Sequence, residues 1–266
     1  MKVGFIGAGN MAQAMLKNWI ISNKLSSADI WISDPDAVKR DALVSEYGVT
    51  AVADNKTLIR GCNAVILAIK PNISDAVLDD IGASAVGKII LSIVTGLTTD
   101  ALLRELPGAA VARIMPNTPA LVGEGVIAFS RAHTLDEKTF AWASDLFSSL
   151  GRVYLVGEND MEAVTGVSGS GPAYAFIMIE AMADAGVRMG LPRALAYELA
   201  AQTLVGAGRM VLESERNPAA LKDSVCSPGG TTIEAVYALE KGGFRAAVMD
   251  AVSVCALKAK ALRDAQ

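Results

Sequence analysis

The chain opens on a short apolar run, residues 3–6, that breaks into Gly7-Ala8-Gly9-Asn10-Met11-Ala12 and continues as an amphipathic segment over 11–21. Strand, glycine turn and helix in that order leave few choices of fold. The N-terminus of the helix presents unpaired N–H groups beside the end of a buried strand, an arrangement suited to a phosphate. In such a turn Gly7 makes the tight bend, Gly9 lets a pyrophosphate approach the backbone, and Ala12 permits close helix–strand packing. The pattern predicts that Ile6, Gly7, Ala8, Gly9, Asn10 and Met11 line a dinucleotide site. A glycine-rich turn without a ligand is the alternative, and the strand–turn–helix context weighs against it.

The same alternation continues. Apolar, β-branched runs at 30–33, 64–69, 89–94 and 111–114 are separated by helical patterns such as 35–47. Further strands are expected at 125–130 and 152–156 around a helix at about 136–150. Strands alternating with helices require right-handed crossovers and a mostly parallel sheet. From Glu158 onward the pattern contains no strand. It is alanine-rich and helical, punctuated by turn signals at 168–172, 190–192, 217–218, 227–230 and 242–243. A helix over 173–189 starts just after Pro172, a favoured position, and places Tyr174, Ile177, Met178 and Ala181 on one face. The expected architecture is α/β, with a Rossmann-type doubly wound sheet over 1–157. An all-helical domain over 158–266 follows, with apolar faces broad enough to be buried in an oligomer.

Bulk properties remove several classes of function. A net charge of −4 gives no basic footprint, so nucleic acid is not an expected partner. No apolar run reaches the roughly 18 residues of a membrane span; the best, 173–182, is interrupted by Glu180 and then Asp184. A strand starting at residue 3 leaves no room for a signal peptide. Cys62, Cys226 and Cys255 are scattered, which fits a reducing cytoplasm and neither a disulfide framework nor a zinc site. The single histidine, His133, lies in what reads as an exposed loop. No metal is expected.

The chemistry rests on loops. Ser33-Asp34-Pro35-Asp36 follows the second strand, where an acid holds the ribose hydroxyls of NAD. Asp34 is placed for that role, Ser33 is equally suited to a 2′-phosphate, and an N-cap ahead of Pro35 is a third use for Asp34. Lys39 and Arg40 lie a helical turn further on, and residue chemistry leaves NAD and NADP close to even. Lys70-Pro71 ends a strand at the carboxyl edge of the sheet, where ligands bind in open α/β folds; a lysine snorkelling at a strand end is the plain alternative.

Near the other end, Ser227-Pro228-Gly229-Gly230-Thr231-Thr232 exposes backbone N–H groups to an anion and supplies hydroxyls. An ordinary turn and helix cap explain that loop equally well. Absences narrow the reaction. Handling an alcohol proton usually falls to a His or Lys, yet no lysine occurs between Lys138 and Lys222. A C=N nitrogen is more basic than a ketone oxygen and needs less, so a hydroxyl and an anion site suffice for imine reduction.

Several motifs then coincide. They are the 7–12 loop, Ala68-Ile69-Lys70-Pro71, Met115-Pro116-Asn117-Thr118-Pro119, the 163–174 segment with Ser168-Gly169-Ser170-Gly171-Pro172-Ala173, Met189-Gly190-Leu191-Pro192, and Leu221-Lys222-Asp223 leading to Ser227–Thr232. In these the chain resembles the pyrroline-5-carboxylate reductase family along its full length. The resemblance implies a Rossmann domain followed by a helical dimerisation domain, a homodimer, and pairing into larger rings. It implies reduction of 1-pyrroline-5-carboxylate to L-proline, the last step of proline biosynthesis, by hydride from NADPH, with NADH as an alternative donor. By position it puts Ser33, Pro35 and Asn55 near the adenosine end, and Ala68, Ile69, Lys70 and Pro71 at the strand end under the cofactor. Thr95 falls beside the nicotinamide. Ser227, Gly229, Gly230 and Thr231 correspond to a cradle for the substrate carboxylate, Thr232 to a hydroxyl that reaches the ring nitrogen, and Glu158 and Glu215 to positions near the product. Three places depart from the family pattern: Val94-Thr95, Ser224 and Cys226. A reductase of a six-membered cyclic imine and a non-catalytic nucleotide-binding protein are the competing readings.

Overall fold

The computed structural model describes residues 1–264. It contains eight strands, β1 (Val3–Ile6), β2 (Ile30–Ser33), β3 (Thr50–Val52), β4 (Ala64–Leu67), β5 (Ile89–Ser92), β6 (Ala110–Met115), β7 (Gly125–Ser130) and β8 (Gly151–Val156). Twelve α-helices accompany them: α1 (Asn10–Ile21), α2 (Ala37–Tyr47), α3 (Asn55–Gly61), α4 (Ser74–Ile81), α5 (Thr99–Glu105), α6 (Glu137–Ser148), α7 (Met161–Val164), α8 (Gly171–Arg188), α9 (Arg193–Glu213), α10 (Pro218–Ser224), α11 (Thr231–Lys241) and α12 (Phe244–Asp264). The chain forms two compact units. One comprises residues 1–169 together with the chain from residue 254 onward, the other residues 170–253.

In the first unit the strands form one sheet in the order β3-β2-β1-β4-β5-β6-β7-β8. The first six are parallel, β6 and β7 antiparallel, and β7 and β8 parallel again. Both faces of the central strands are covered, which is why β1 and β4 read as continuous apolar runs without alternation. One face packs Trp19 of α1 against Phe5 and Phe147, with ring centroids 5.4 Å apart in each pair. The other face packs Leu58, Ile59, Leu78 and Leu102 of α3, α4 and α5 against Val65, Leu67 and Ile90. Each of these fully buried side chains contributes roughly 1.5–3 kcal/mol through removal from water.

The Rossmann-type sheet and the helical second half are as the alternation predicts, with three local differences. β3 escaped the sequence reading because three residues at a sheet edge carry almost no period. The second helix begins at Ala37 rather than at Pro35, since Asp36 is its cap and accepts from the N–H groups of Val38 and Lys39. The N-cap role is therefore not Asp34's. Strand β4 ends at Leu67, and the Ala68 N–H still reaches the Ile6 carbonyl at 2.9 Å.

The Met115–Pro119 and 163–169 motifs have a structural meaning. Buried Asn117 accepts from the Val126 N–H at 2.9 Å and donates to the Ser168 carbonyl at 3.0 Å. It thereby ties β7 to a π-helical turn, Thr165–Gly169.

The second unit is built differently. Of residues 170–253 only Ala183, Ala196 and Ala200 are buried. Phe176, Ile177 and Tyr237 are each more than 60% exposed. Tyr174, Ile177, Met178 and Ala181 of α8 face Phe244 and Val248 of α12 across an apolar groove of about 710 Å³. Three alanines do not make a hydrophobic core, so this unit needs a cover that it does not supply itself. No helix among the described residues is long and apolar enough to cross a membrane.

Candidate active site

The glycine turn lies at the point where the strand order reverses, between β1 and β4, the position at which open α/β sheets bind ligands. Gly7 adopts φ +100°, and a Cβ there would stand 2.4 Å from the Ala68 carbonyl oxygen. Only glycine fits. Gly9 is the N-cap of α1, provides no side-chain cap, and has nothing within 4 Å of where its Cβ would lie. The open space above Gly9 and the uncapped helix start fit a dinucleotide pyrophosphate.

The sheet brings the predicted cofactor residues together around this turn. The Gly7 N–H donates to the Ser33 carbonyl at 2.8 Å, and the Ala68 N–H to that of Ile6. The Ser33 hydroxyl donates to Asn55 Oδ1 at 2.9 Å, so the adenosine-end pair is in contact. Lys70 and Pro71 start the short 3-10 turn after β4, with Lys70 exposed. Thr95, half-buried, follows β5, whose next residue, Ile93, is held on the Leu67 carbonyl. Pro35 is exposed at the mouth beside Asp34. Asp34 itself is bonded to the turn, accepting the Ala8 N–H at 2.8 Å and the Asp36 N–H at 2.9 Å.

The late loop belongs to the second unit. Gly229 takes φ +68°, and Gly230 caps α11 without a side-chain hydrogen bond. A Cβ at Gly230 would fall 2.3 Å from Ser227 Oγ and 3.1 Å from the Ser227 carbonyl oxygen, so a side chain there would force the serine hydroxyl to move. The first N–H groups of α11, from Thr231, Thr232 and Ile233, have no side-chain acceptor, and Thr232 is half-buried. Asp36, Asp54, Thr98, Asp136 and Asn217 cap α2, α3, α5, α6 and α10 through their side chains, whereas α4, α7, α8 and α9, like α1 and α11, start without a side-chain cap. Gly9 and Gly230 leave α1 and α11 open, which suits a phosphate and a carboxylate. Glu215 is exposed in the turn between α9 and α10.

Glu158 is in different surroundings. Its carboxylate accepts from the Thr99 N–H at 3.2 Å, the Thr99 hydroxyl at 3.0 Å, the Arg113 guanidinium at 2.9 Å, and the Ser130 hydroxyl. Arg113, 4% exposed, also holds buried Glu162 at 3.0 Å, whose second oxygen takes Arg263 at 3.1 Å. Burial pushes the Glu158 carboxyl up; the Ser130 and Arg113 hydrogen bonds outweigh it and leave the group below the ordinary range. This network escaped the sequence reading, although a lone arginine inside the apolar strand 110–115 is its signal. His133 also differs from expectation. It is half-buried, stacked on Phe140 with centroids 4.6 Å apart, and burial lowers its pKa. No cluster of metal-ligating side chains occurs among the described residues.

Sheet order and glycine turn define an oxidoreductase that uses a pyridine nucleotide, and residues 2–96 match the family model described as "NADP oxidoreductase coenzyme F420-dependent". Residues 158–262 match "Pyrroline-5-carboxylate reductase dimerisation". The pyrroline-5-carboxylate reductase of Escherichia coli is 42% identical over 263 residues, 98% of each chain. That of Synechocystis sp. is 42% identical over 252 residues, 95% of this chain and 94% of its own. The Plasmodium falciparum pyrroline carboxylate reductase, solved with NADP bound, superposes with a TM-score of 0.91 at 33% identity, covering 99% of this chain and 98% of that one. The chain belongs to the pyrroline-5-carboxylate reductase family.

Proposed function

We propose that the chain reduces 1-pyrroline-5-carboxylate to L-proline with a reduced nicotinamide dinucleotide. The observation that carries this is the pair of helix starts left open by glycine, α1 at Gly9 and α11 at Gly230. The 6–11 turn, with Ser33, Pro35, Asn55, Ala68–Pro71 and Thr95, would hold the dinucleotide. When bound, that group supplies the hydride. Ser227, Gly229, Gly230 and Thr231 would bind the substrate carboxylate through backbone N–H groups and the positive end of α11. Thr232, one residue further on, would present its hydroxyl to the ring nitrogen and steady the proton there. Glu215 is assigned a position near the product, as the resemblance implies. Glu158, with four donors already on its carboxylate, is assigned an indirect role, holding Thr99 at the start of α5 behind the Thr95 loop. Fixing the substrate at its carboxylate and nitrogen orients the C=N face, and orientation is the main source of acceleration when no general base is present.

The apolar groove of the second unit would be covered by a second copy of the chain, making a homodimer. The match to a dimerisation model supports this, and rings of such dimers are the larger assembly implied by the resemblance. The small number of cysteines and the absence of pairing motifs support a cytoplasmic setting. The Plasmodium relative, solved with NADP bound, supports a nicotinamide dinucleotide as the donor, NADPH or NADH.

The test is oxidation of NADPH and NADH at 340 nm with 1-pyrroline-5-carboxylate and with its six-membered homologue. Turnover with the five-membered ring is expected. Thr232→Ala should lower kcat at least about tenfold, the lower range for a lost proton-handling group, and leave dinucleotide binding intact. Unchanged kcat overturns the role of Thr232; no oxidation of either ring overturns the reaction.

A further inference from the structure

We infer that Asp34 is a coenzyme-specificity residue of this chain and turns its preference toward NADH, whose adenosine ribose carries a free 2′,3′-diol. The inference rests on the assignment of the 7–12 turn to a dinucleotide. Asp34 follows β2 directly, at the strand end beside that turn. Its two oxygens accept the Ala8 and Asp36 N–H groups at 2.8 and 2.9 Å, which pins the carboxylate at the edge of the nucleotide turn. A carboxylate oxygen has two lone pairs, so each keeps one acceptor site for a ribose hydroxyl. A 2′-phosphate would instead bring about −1.5 to −2 further charge up to a fixed negative group.

The surroundings do not offset that charge. Three cations lie nearby, and each is engaged. Arg40 donates to the Asp34 carbonyl oxygen. Lys39 pairs with Asp36 at 3.5 Å, and Lys56 with Asp80 at 3.1 Å. Two of the residues that the resemblance puts near the adenosine end are bonded to each other. Ser33 is 3% exposed and its hydroxyl donates to Asn55, whose amide in turn donates to Asp80 Oδ2 at 3.3 Å. The adenosine end thus holds the Asp34 carboxylate, two lysines already paired with Asp36 and Asp80, and Arg40 held on a main-chain carbonyl. That balance accommodates a neutral diol and disfavours a dianion.

The test is calorimetric titration of the intact protein with NAD+ and NADP+, comparing it with Asp34→Ser and Asp34→Asn. The unmodified chain should bind NAD+ more tightly, by roughly tenfold, the ratio supported by one uncompensated charge contact at a partly screened site. Asp34→Ser should tighten NADP+ and weaken NAD+, reversing the ratio. Asp34→Asn keeps an acceptor for the Ala8 N–H and removes the charge, so it should fall between the two. A purely structural role for Asp34 would weaken both nucleotides equally and leave the ratio unchanged, and that result overturns the inference. Tighter binding of NADP+ by the unmodified chain overturns it as well, and so does a failure of both nucleotides to bind. If the ratio behaves as expected while neither coenzyme is oxidised by 1-pyrroline-5-carboxylate, the specificity assignment stands and the reaction assignment falls.

Discussion

Replacing Arg113 by methionine tests the buried charge network most directly. The guanidinium is 4% exposed and bridges Glu158 at 2.9 Å and Glu162 at 3.0 Å. Methionine fills a comparable volume, so the packing loss is small and the change is mainly electrostatic. Removing one partner of a buried ion pair destabilises by about 3–5 kcal/mol. Here Glu158 keeps Thr99 and Ser130, and Glu162 keeps Arg263, which places the expected loss at the lower end, about 3 kcal/mol. For a chain of this size that corresponds to roughly 6–12 °C in Tm.

Trp19, Trp31 and Trp142 all lie in the first unit, so tryptophan fluorescence in urea reports that unit's unfolding alone. The pH dependence gives a second check. Glu158 is held below its ordinary pKa, so its contribution is present above the unfolded value, 4.5, and is lost as pH falls through the lower folded value. Without Arg113, burial is less opposed and the folded pKa rises. The gap between the two proteins should therefore be widest near pH 7 and narrow below about pH 4. A loss under about 1 kcal/mol, or a gap independent of pH, would show that the network does not hold the unit together in this way.

The two turn glycines should behave oppositely. Gly7→Ala forces a Cβ against the Ala68 carbonyl at φ +100° and should lower stability by about 1–3 kcal/mol. Gly9→Ala enters open space at φ −73°, so stability should stay within about 0.5 kcal/mol while NAD+ and NADP+ binding weakens. Normal binding by Gly9→Ala would remove the turn from the pyrophosphate. In the second unit, Ile177→Asp puts a charge into the apolar groove; analytical ultracentrifugation should show the assembly shifting toward monomer, and an unchanged sedimentation coefficient would refute the groove as the interface.

The Rossmann half was legible because its signals are local. A glycine with positive φ at a strand end, an alanine on the packing face of the next helix, and β-branched runs at regular intervals each state their role within about ten residues. The turn at 227–230 was legible for the same reason, since Gly229 takes φ +68°. Side-chain partnerships across many residues were not. Arg113 meets Glu158 and Glu162, and Arg263 meets Glu162, only because β6, the segment after β8 and the end of α12 converge in the folded unit. The family resemblance offered Glu158 as a group near the product, whereas the fold commits its carboxylate to four protein donors.

What the amino-acid order determined by itself was the succession of elements and the position of the glycine turns at 7–9 and 229–230. Those follow from periodicity, turn chemistry and residue inventory, which need no partner distant in sequence. Tertiary structure alone decided which charges are satisfied. It assigned the cap of α2 to Asp36 and bound Asp34 to the Ala8 N–H. It also paired Lys39 and Lys56 with carboxylates, held Arg40 on a main-chain carbonyl, and left the helices of the second unit with almost nothing buried. The physical reason is that hydrogen bonds, ion pairs and desolvation depend on distances between groups, and folding alone sets those distances.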